Sequence, residues 1–281
     1  MKKHLLLLVA FLIATSASAQ FYVSASGGYS FPTSEKKLGT STTVSGVTDL
    51  NGSYGEGLEV SLRGGYSFNE KWAFELGLGY LHGADQDVQS LNIPGASADL
   101  IARGRAFGAS LSGVYSFSDK FYARVGFLTK VGGMTEAVTD LNIDIPAQLV
   151  NPSAPAGATA PLSANFTTEF NGKFPSGIVG AVGYKIPVGE NLNLFAEVEY
   201  MGINVTRNVS NSSDFSANIA GNPIDKATLT SILGANPGLA PLVPLYSDSE
   251  IQWGEGPYPS SEAPYSSIGV NFGITYTFSK K

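Results

Sequence analysis

The sequence predicts an all-β protein whose strands close into an antiparallel barrel. Eight segments alternate apolar residues with small or polar residues at a period of two, which is the pattern of a strand with two different faces. Short turns and long polar connections follow one another, as expected of strands that run up and down around a barrel. The composition agrees, because 33 glycines, 11% aromatic and 14% charged residues accompany a mean hydropathy of only +0.07.

Three pairs of these segments are joined by short turns. The second and third segments flank residues 69–71, the fourth and fifth flank 118–120, and the sixth and seventh flank a turn at 187–191. The first and eighth segments stand at the two ends of the series. In chain order, the apolar sets of the eight segments run from Phe21 to Phe31, Leu58 to Phe68, Trp72 to Tyr80, Phe107 to Phe117, Phe121 to Phe127, Ile178 to Ile186, Leu192 to Tyr200, and Ile268 to Phe278.

Four longer connections separate the segments, at 32–57, 82–104, 131–173 and 201–264, and they are rich in Gly, Pro, Ser and Asn. We expect short turns on the periplasmic side and four long extracellular loops. An even number of strands closes the sheet and leaves no unpaired edge in lipid. Within the fourth loop, residues 227–233 are expected to form a helical turn or two.

Aromatic residues cluster at both ends of the segments, as in the two interfacial girdles of a membrane barrel. A soluble sandwich or a lipocalin-like barrel also has alternating strands, but it needs no such girdles. The aromatic residues near the short turns are Tyr66, Phe68, Trp72, Tyr115, Phe117, Phe121, Tyr184, Tyr276 and Phe278, and those near the long connections are Tyr29, Phe31, Tyr80, Phe107, Phe127 and Tyr200.

The amino terminus has the pattern of a cleavable secretory signal peptide. Lys2 and Lys3 precede an apolar run at 5–13, and the small residues Ala17 and Ala19 follow it. The run is too short to cross a bilayer core of about 30 Å as a helix. We therefore expect cleavage before Gln20, with residues 1–19 as the signal peptide and 20–281 as the barrel domain.

Charge and cysteine content exclude several other classes of protein. The formal charge is −6, and removal of residues 1–19 with their two lysines takes it to −8, which argues against a nucleic-acid partner. The chain contains no cysteine, so it can be neither a lipid-modified lipoprotein nor a disulfide-linked protein.

The last segment carries a second targeting pattern. Residues 271–278 read polar-x-Gly-x-x-aromatic-x-aromatic, with Asn271, Gly273, Tyr276 and Phe278 at the defining positions. This pattern resembles the carboxy-terminal assembly signal of bacterial outer-membrane β-barrels. The three residues that follow, 279–281, depart from the terminal aromatic that is usual in such proteins.

Residues 20–281 as a whole resemble the small eight-stranded outer-membrane barrels, the class that includes OmpX and the membrane domain of OmpA. The resemblance implies a monomer in outer-membrane lipid, inserted by the barrel-assembly machinery. It implies surface interaction or envelope integrity more than catalysis, with no cofactor, and with any extracellular ligand or receptor bound by the loops. A narrow passive channel is the main alternative, and an outer-membrane lipid-modifying enzyme ranks below it.

Charged residues at inward positions are expected to pair, because side chains fill the lumen of an eight-stranded barrel. Placing Phe68 beside Trp72 across the turn at 69–71 sets Gly65 opposite Glu75 and Arg63 diagonal to it, within reach of an ion pair. The network is expected to plug the lumen, and a gated conduit opened by exchange of partners is the alternative. The inward charged residues are Glu59, Arg63, Glu75, Arg124, Lys185, Glu197 and Glu199.

Residues near the outer rim offer weaker candidates for a site. His82, Asp85 and Asp87 combine a base with carboxylates, but no serine motif accompanies them and their spacing matches no calcium loop. We assign no catalytic or metal-binding residue and expect no enzyme activity. Arg103 and Arg105 share the outward parity of Phe107, which suits either a clamp on lipopolysaccharide phosphates or a solvated loop end.

Overall fold

The computed structural model describes residues 20–33, 36–234, 246, 250–256 and 258–278. The expected signal peptide, with Ala17 and Ala19, lies outside the described residues. Sixteen strands account for most of the described chain. They are β1 Gln20–Pro32, β2 Lys36–Thr43, β3 Gly46–Gly52, β4 Gly57–Ser67, β5 Trp72–Gly83, β6 Gln86–Ile93, β7 Ala96–Ser116, β8 Phe121–Pro146, β9 Thr159–Gly172, β10 Gly177–Pro187, β11 Leu192–Gly202, β12 Asn204–Ile219, β13 Asn222–Pro223, β14 Ile251–Gln252, β15 Glu262–Pro264 and β16 Ser267–Thr277.

Two short helical elements lie between strands in the part of the chain that the structure describes. One turn of 3-10 helix covers Ala147–Leu149, and the helix α1 covers Lys226–Gly234. The segment 227–233, where helical turns were expected, falls inside α1. No helix in the described part of the chain has both the length and the apolar character needed to cross a membrane.

Eight of the strands pair in a ring. The order is β1, β4, β5, β7, β8, β10, β11 and β16, and β16 pairs back with β1. All eight pairings are antiparallel. The backbone groups of the ring are therefore satisfied by neighbouring strands, as a lipid environment requires.

The expectation of a chain with only eight strands and four long loops is wrong. β7 and β8 continue past the ring and stay paired as far as Ala96 and Ile143. β6, β2 and β3 extend the sheet on the β7 side, and β9, β12 and β13 extend it on the β8 side. Most of 32–57, 82–104 and 131–173, and part of 201–264, is strand. We call the part of the sheet beyond the ring the outer sheet.

The strands of the outer sheet were not predicted from the sequence, because one face of the outer sheet carries polar residues. From Asp140 to Ile145 the chain alternates polar and apolar residues, and the apolar positions Leu141, Ile143 and Ile145 are buried. The other face carries Asp, Asn, Ser and Thr, so the average composition is that of a loop. The alternation, and not the average polarity, was the informative signal.

Two apolar clusters stabilise the outer sheet. α1 contributes Leu229 and Leu233 to the first, in which both are fully buried. The part of 201–264 that forms α1 is therefore packed against the outer sheet. The first cluster also contains Ala98, Leu141, Ile143, Ile145, Leu162, Ala164, Phe166, Ala217, Ile219 and Tyr246, and the second contains Tyr54, Leu81, Leu100, Ala102, Ala106, Ala137, Phe170, Ile203, Val205, Ala263 and Tyr265.

The outside of the ring is apolar. Aromatic pairs lie near the short turns, with ring centroids 4.9 Å apart for Phe21 and Tyr66 and 4.7 Å apart for Trp72 and Tyr115. This arrangement is that of an interfacial girdle around a lipid-facing band. The exposed apolar side chains of the band include Val23, Val60, Leu62, Phe74, Leu76, Leu78, Leu111, Val125, Phe127, Ile178, Val182, Val198, Val270, Phe272 and Ile274.

The short turns are held by local side-chain acceptors. Asn69 Oδ1 accepts hydrogen bonds of 2.9 Å from the backbone N–H groups of Lys71 and Trp72. Ser118 accepts from the equivalent residues of the next hairpin. Such turns fix the register of the strands that they join.

The carboxy-terminal pattern occupies β16, which pairs with both β1 and β11. Gly273 lies against the ring of Phe195, where a Cβ atom would come within 2.4 Å of the ring Cζ. Asn271 is buried in the lumen, and Tyr276 and Phe278 stack on the outside with centroids 5.2 Å apart. Glycine at 273 is therefore required by packing, while recognition of the pattern by the assembly machinery remains a prediction.

Closure of the ring predicts a heat-modifiable protein. Detergent alone should not open a sheet in which each strand is paired on both sides, because many backbone hydrogen bonds must break together. An unboiled sample, refolded in detergent micelles, should migrate differently from a boiled sample in gel electrophoresis. Equal migration of a sample whose β-content has been verified by circular dichroism would contradict the closed ring.

Candidate functional site

Five charged side chains meet in the middle of the ring, at positions expected to point inward. Arg63 lies on β4, Glu75 on β5, Arg124 on β8, and Glu197 and Glu199 on β11. Strand alternation turns these positions away from the apolar outer face. None of the five side chains is more than 8% exposed. We call these five residues the charge cluster.

Glu197 is the centre of the charge cluster, because it contacts both guanidinium groups. Its Oε1 lies 2.6 Å from Arg63 Nη1 and 3.2 Å from Arg124 Nη2. Glu75 Oε1 lies 3.5 Å from the Nε atoms of both arginines. Arg124 Nη2 also donates a hydrogen bond to Glu199. Two cations are thus shared among three carboxylates.

The expected pairing of Arg63 with Glu75 is present but is not the closest contact of Arg63. Gly65 lies opposite Glu75, which is the register anticipated from the short turn. The hydrogen bond of Arg63 to Glu197 is shorter, and it joins residues 134 positions apart in the chain. Local sequence reasoning finds the first contact and has no access to the second.

Two tyrosines complete the charge cluster on the side of the short turns. Tyr122 OH donates to Glu197 Oε2 at 2.8 Å, and Tyr22 OH donates to Glu75 Oε2 at 3.2 Å. Hydrogen bonds to the free carboxylate oxygens reduce the cost of burying these charges. Both tyrosines were missed in the sequence, although their inward parity, next to outward Phe21 and Phe121, was available as a signal.

The other two charged residues expected in the lumen lie beside the charge cluster but take no part in its ion pairs. Lys185 Nζ sits over the Tyr122 ring, 4.8 Å from its centroid. Glu59 accepts a hydrogen bond of 3.2 Å from Ser30 Oγ. Neither forms an ion pair in the described residues, so the seven expected members reduce to five.

The outer end of the lumen is covered by two tyrosines, Tyr54 and Tyr265, which we call the cap. Their ring centroids are 5.9 Å apart. Tyr54 N donates to Pro264 O at 2.9 Å, and the hydroxyls of Tyr265 and Thr135 share a hydrogen bond of 2.7 Å. Burial raises the pKa of Tyr265 to about 12, so this hydroxyl stays protonated at neutral pH.

A cavity of about 90 Å³ lies between the charge cluster and the cap. Glu59, Arg63, Arg124 and Glu199 line it together with Tyr265. The lumen is therefore filled at the level of the charge cluster, open over a short distance above it, and closed again at the cap.

The candidates at the rim do not assemble into a site. His82, Asp85 and Asp87 are exposed, and Asp85 lies 3.4 Å from Arg103. Among the described residues there is no group of three or more His, Cys, Asp or Glu side chains placed to hold a metal ion.

The two arginines at the rim are engaged with the protein itself. Arg103 Nε lies 2.9 Å from Glu136 Oε2, and this hydrogen bond raises the pKa of the Arg103 guanidinium. Arg105 Nη1 donates to the backbone oxygen of Gly83 at 2.7 Å. A clamp on lipopolysaccharide phosphates would have to compete with these contacts.

A ring of strands with an apolar outside and a polar interior defines an integral membrane β-barrel. Residues 4–221 match the model of the family described as outer membrane protein beta-barrel domain, and the chain belongs to that family. It is therefore a β-barrel protein of the bacterial outer membrane. The narrower assignment to OmpA- and OmpX-like barrels is not established by this match.

Solved structures of other outer-membrane proteins show weak similarity to this chain. CarO2 of Acinetobacter baumannii is 12% identical, with a TM-score of 0.30, over 92% of this chain and 99% of its own. CarO of the same organism is 15% identical, with a TM-score of 0.29, over 90% and 97%. The translocator domain of the autotransporter NalP from Neisseria meningitidis is 8% identical, with a TM-score of 0.24, over 98% and 96%. The search of curated proteins returned no match.

The geometry predicts that Glu197 contributes most to the stability of the charge cluster. Glu197→Leu would leave Arg63 and Arg124 without their shared acceptor and should lower the free energy of unfolding by about 3–5 kcal/mol. Glu75→Leu should cost less, because its contacts with the arginines are longer. Urea unfolding in lipid vesicles measures both values.

Glu190→Gln, in the exposed turn between β10 and β11, is a matched control and should change stability by no more than about 0.5 kcal/mol. Equal unfolding midpoints for wild type, Glu197→Leu and the control would contradict the placement of Glu197 at the centre of the charge cluster.

Proposed function

We propose that this protein is a non-enzymatic barrel that holds a rigid β-sheet at the cell surface for interaction with partners outside the cell. In this proposal the ring of eight strands spans the membrane as a monomer in contact with outer-membrane lipids. Residues 1–19 are removed before Gln20, and the barrel-assembly machinery inserts the ring. The outer sheet then projects from the membrane.

The extent and packing of the outer sheet support a display role. β7 and β8 carry their pairing from the ring to Ala96 and Ile143 without a break in the sheet. The two apolar clusters hold the added strands against one another, so the surface is fixed in shape. A rigid scaffold that presents polar groups is suited to recognition.

One face of the outer sheet offers a continuous row of polar side chains to a partner. Asp99 and Asp140 lie opposite each other across β7 and β8. Ser90 flanks Asp99, and Asn165 flanks Asp140. Ser90 Oγ donates to Asp99 Oδ1 at 2.9 Å, and both aspartates are exposed. The row presents mainly hydrogen-bond acceptors, which favours partners that are rich in donors.

The buried charge cluster is the observation that favours a display role over transport. The side chains of Arg63, Arg124 and Glu197 are at most 6% exposed and pack together at that level, which supports a lumen that is closed to water. The cap closes the lumen a second time. A barrel closed at two levels is suited to support of an outer surface rather than to passive flow.

A narrow channel is the second candidate, and one feature of the charge cluster favours it. Arg124 lies within 4 Å of Glu75, Glu197 and Glu199, so it has alternative partners. Release of the Arg124 guanidinium group from Glu197 would loosen the centre of the lumen without leaving a charge unpaired, because Arg124 would keep Glu199 and Glu197 would keep Arg63. Exchange of this kind is how a gated conduit would open.

Conductance in planar bilayers separates the two candidates. The closed lumen predicts that the wild-type protein gives no steady single-channel steps, whereas Glu197→Leu produces them because the centre of the charge cluster is lost. Steady steps from the wild type, altered by Glu75→Gln or Glu199→Gln, would favour the channel. The heat-modifiable band verifies that each variant has inserted.

Display of the outer sheet predicts that Val47→Cys is labelled on intact cells by a membrane-impermeant maleimide. Val47 lies at the start of β3 and is 64% exposed, and the natural chain has no cysteine that would react. Glu190→Cys, in a turn on the opposite side of the membrane, is the control and should react only after lysis. The reverse labelling pattern would place the outer sheet in the periplasm and remove the display role.

A further inference from the structure

The cavity above the charge cluster has an uneven distribution of charge. Of its charged lining residues, Arg63, Arg124 and Glu199 are engaged in the ion pairs described above. Glu59 and Lys130 also line the cavity. Neither of them forms an ion pair within the part of the chain that the structure covers.

Glu59 presents an acceptor to the cavity. Ser30 Oγ donates to its Oε2, while its Oε1 has no partner among the described hydrogen bonds and ion pairs. The side chain points inward from β4, and its residue is only partly exposed. Arg124 lines the same cavity, but no ion pair joins it to Glu59 in the described residues. A buried carboxylate without a directly paired cation is costly, so the arrangement favours a cationic group beside it.

Lys130 presents the opposite charge. Its Nζ donates to Gly133 O at 2.8 Å and lies 5.9 Å from the centroid of the Tyr265 ring in the cap. An ammonium group has three donors, and this contact uses one. The buried ammonium group of Lys130 has no ion-pair partner among the described residues, just as the carboxylate of Glu59 has none.

The two groups sit on different walls of the lumen. Glu59 is on β4 and Lys130 is on β8, and β5 and β7 separate these strands in the ring. Three strand spacings correspond to about 14 Å along the wall. The side chains therefore approach the cavity from separate directions and leave space between them.

We propose that this cavity binds a small zwitterion that carries a primary ammonium group and a carboxylate. The ammonium group faces Glu59 and the carboxylate faces Lys130, so each buried charge gains its missing partner. Ser61 and Ser110 line the same cavity and add hydroxyl groups. Leu81 and Ala106 provide apolar wall for a short hydrocarbon link.

The size of the cavity limits the ligand to a short one. A volume of about 90 Å³ accommodates a few water-sized groups. This matches a molecule such as β-alanine, with one or two carbons between its charged groups, and is too small for a peptide or sugar chain. The proposal does not depend on whether the barrel displays a surface or conducts.

Isothermal titration calorimetry on the folded protein in detergent micelles tests the assignment with three probes. β-Alanine carries both charges, propylammonium carries only the cation, and propionate carries only the anion. We expect β-alanine to bind about tenfold or more tightly than either single-charge probe, because each lost partner removes a charge-assisted hydrogen bond.

Single substitutions then locate the two ends of the ligand. Glu59→Gln should weaken β-alanine binding by about tenfold and leave propionate binding unchanged, and Lys130→Gln should weaken β-alanine binding equally while sparing propylammonium. Lys173→Gln and Glu190→Gln, both outside the cavity, are the matched controls and should bind as the wild type does.

Several results would overturn the assignment. If the wild type shows no β-alanine binding, a water-filled gap accounts for the cavity. If propylammonium binds as tightly as β-alanine, the site is one for a simple cation and Lys130 has no part in it. If Glu59→Gln or Lys130→Gln is heat-modifiable yet binds β-alanine as the wild type does, the ligand lies elsewhere. The wild-type titration can refute the proposal by itself, so the test remains valid even if a variant fails to fold.

Discussion

The whole structure depends on the need to satisfy every backbone N–H and C=O group of a strand that crosses lipid. β1 meets this need by pairing with β4 on one side and β16 on the other, which brings the first and last strands of the chain together. Once the ring is closed, the alternation of side chains along each strand decides which residues face lipid and which face the lumen. Outward positions must be apolar to face lipid, and inward positions must fill a narrow lumen.

Charged side chains fill the centre of the narrow lumen. Two arginines and three glutamates, supported by Tyr22 and Tyr122, occupy the centre, where a purely apolar filling would also have been stable. Buried charges of this kind are tolerated only when they are paired, and Glu197 satisfies two guanidinium groups at once. The cavity above them is lined by Glu59 and Lys130, neither of which forms an ion pair among the described residues.

Strands that extend beyond the ring into water no longer need to pair all of their backbone groups within the protein, and the sheet there does not close. The outer sheet ends in open edges at β3 and β13, which water can solvate. Its stability comes instead from apolar packing, in which Phe166 and Leu141 are fully buried beside α1. The same two strands, β7 and β8, therefore take part in a lipid-facing ring at one end and in a sheet with a water-soluble core at the other.

The sequence alone determined the features that follow from a period of two and from tight turns: the all-β class, the outward apolar face, the hairpins and the opposition of Gly65 and Glu75. Each of these is local, so neighbouring residues suffice to define it. The tertiary structure decided the partner of Arg63 on β11, the isolation of Glu59 and Lys185, and the growth of polar connections into the outer sheet. These depend on which distant strands become neighbours when the ring closes and at what stagger, and no short stretch of sequence contains that information.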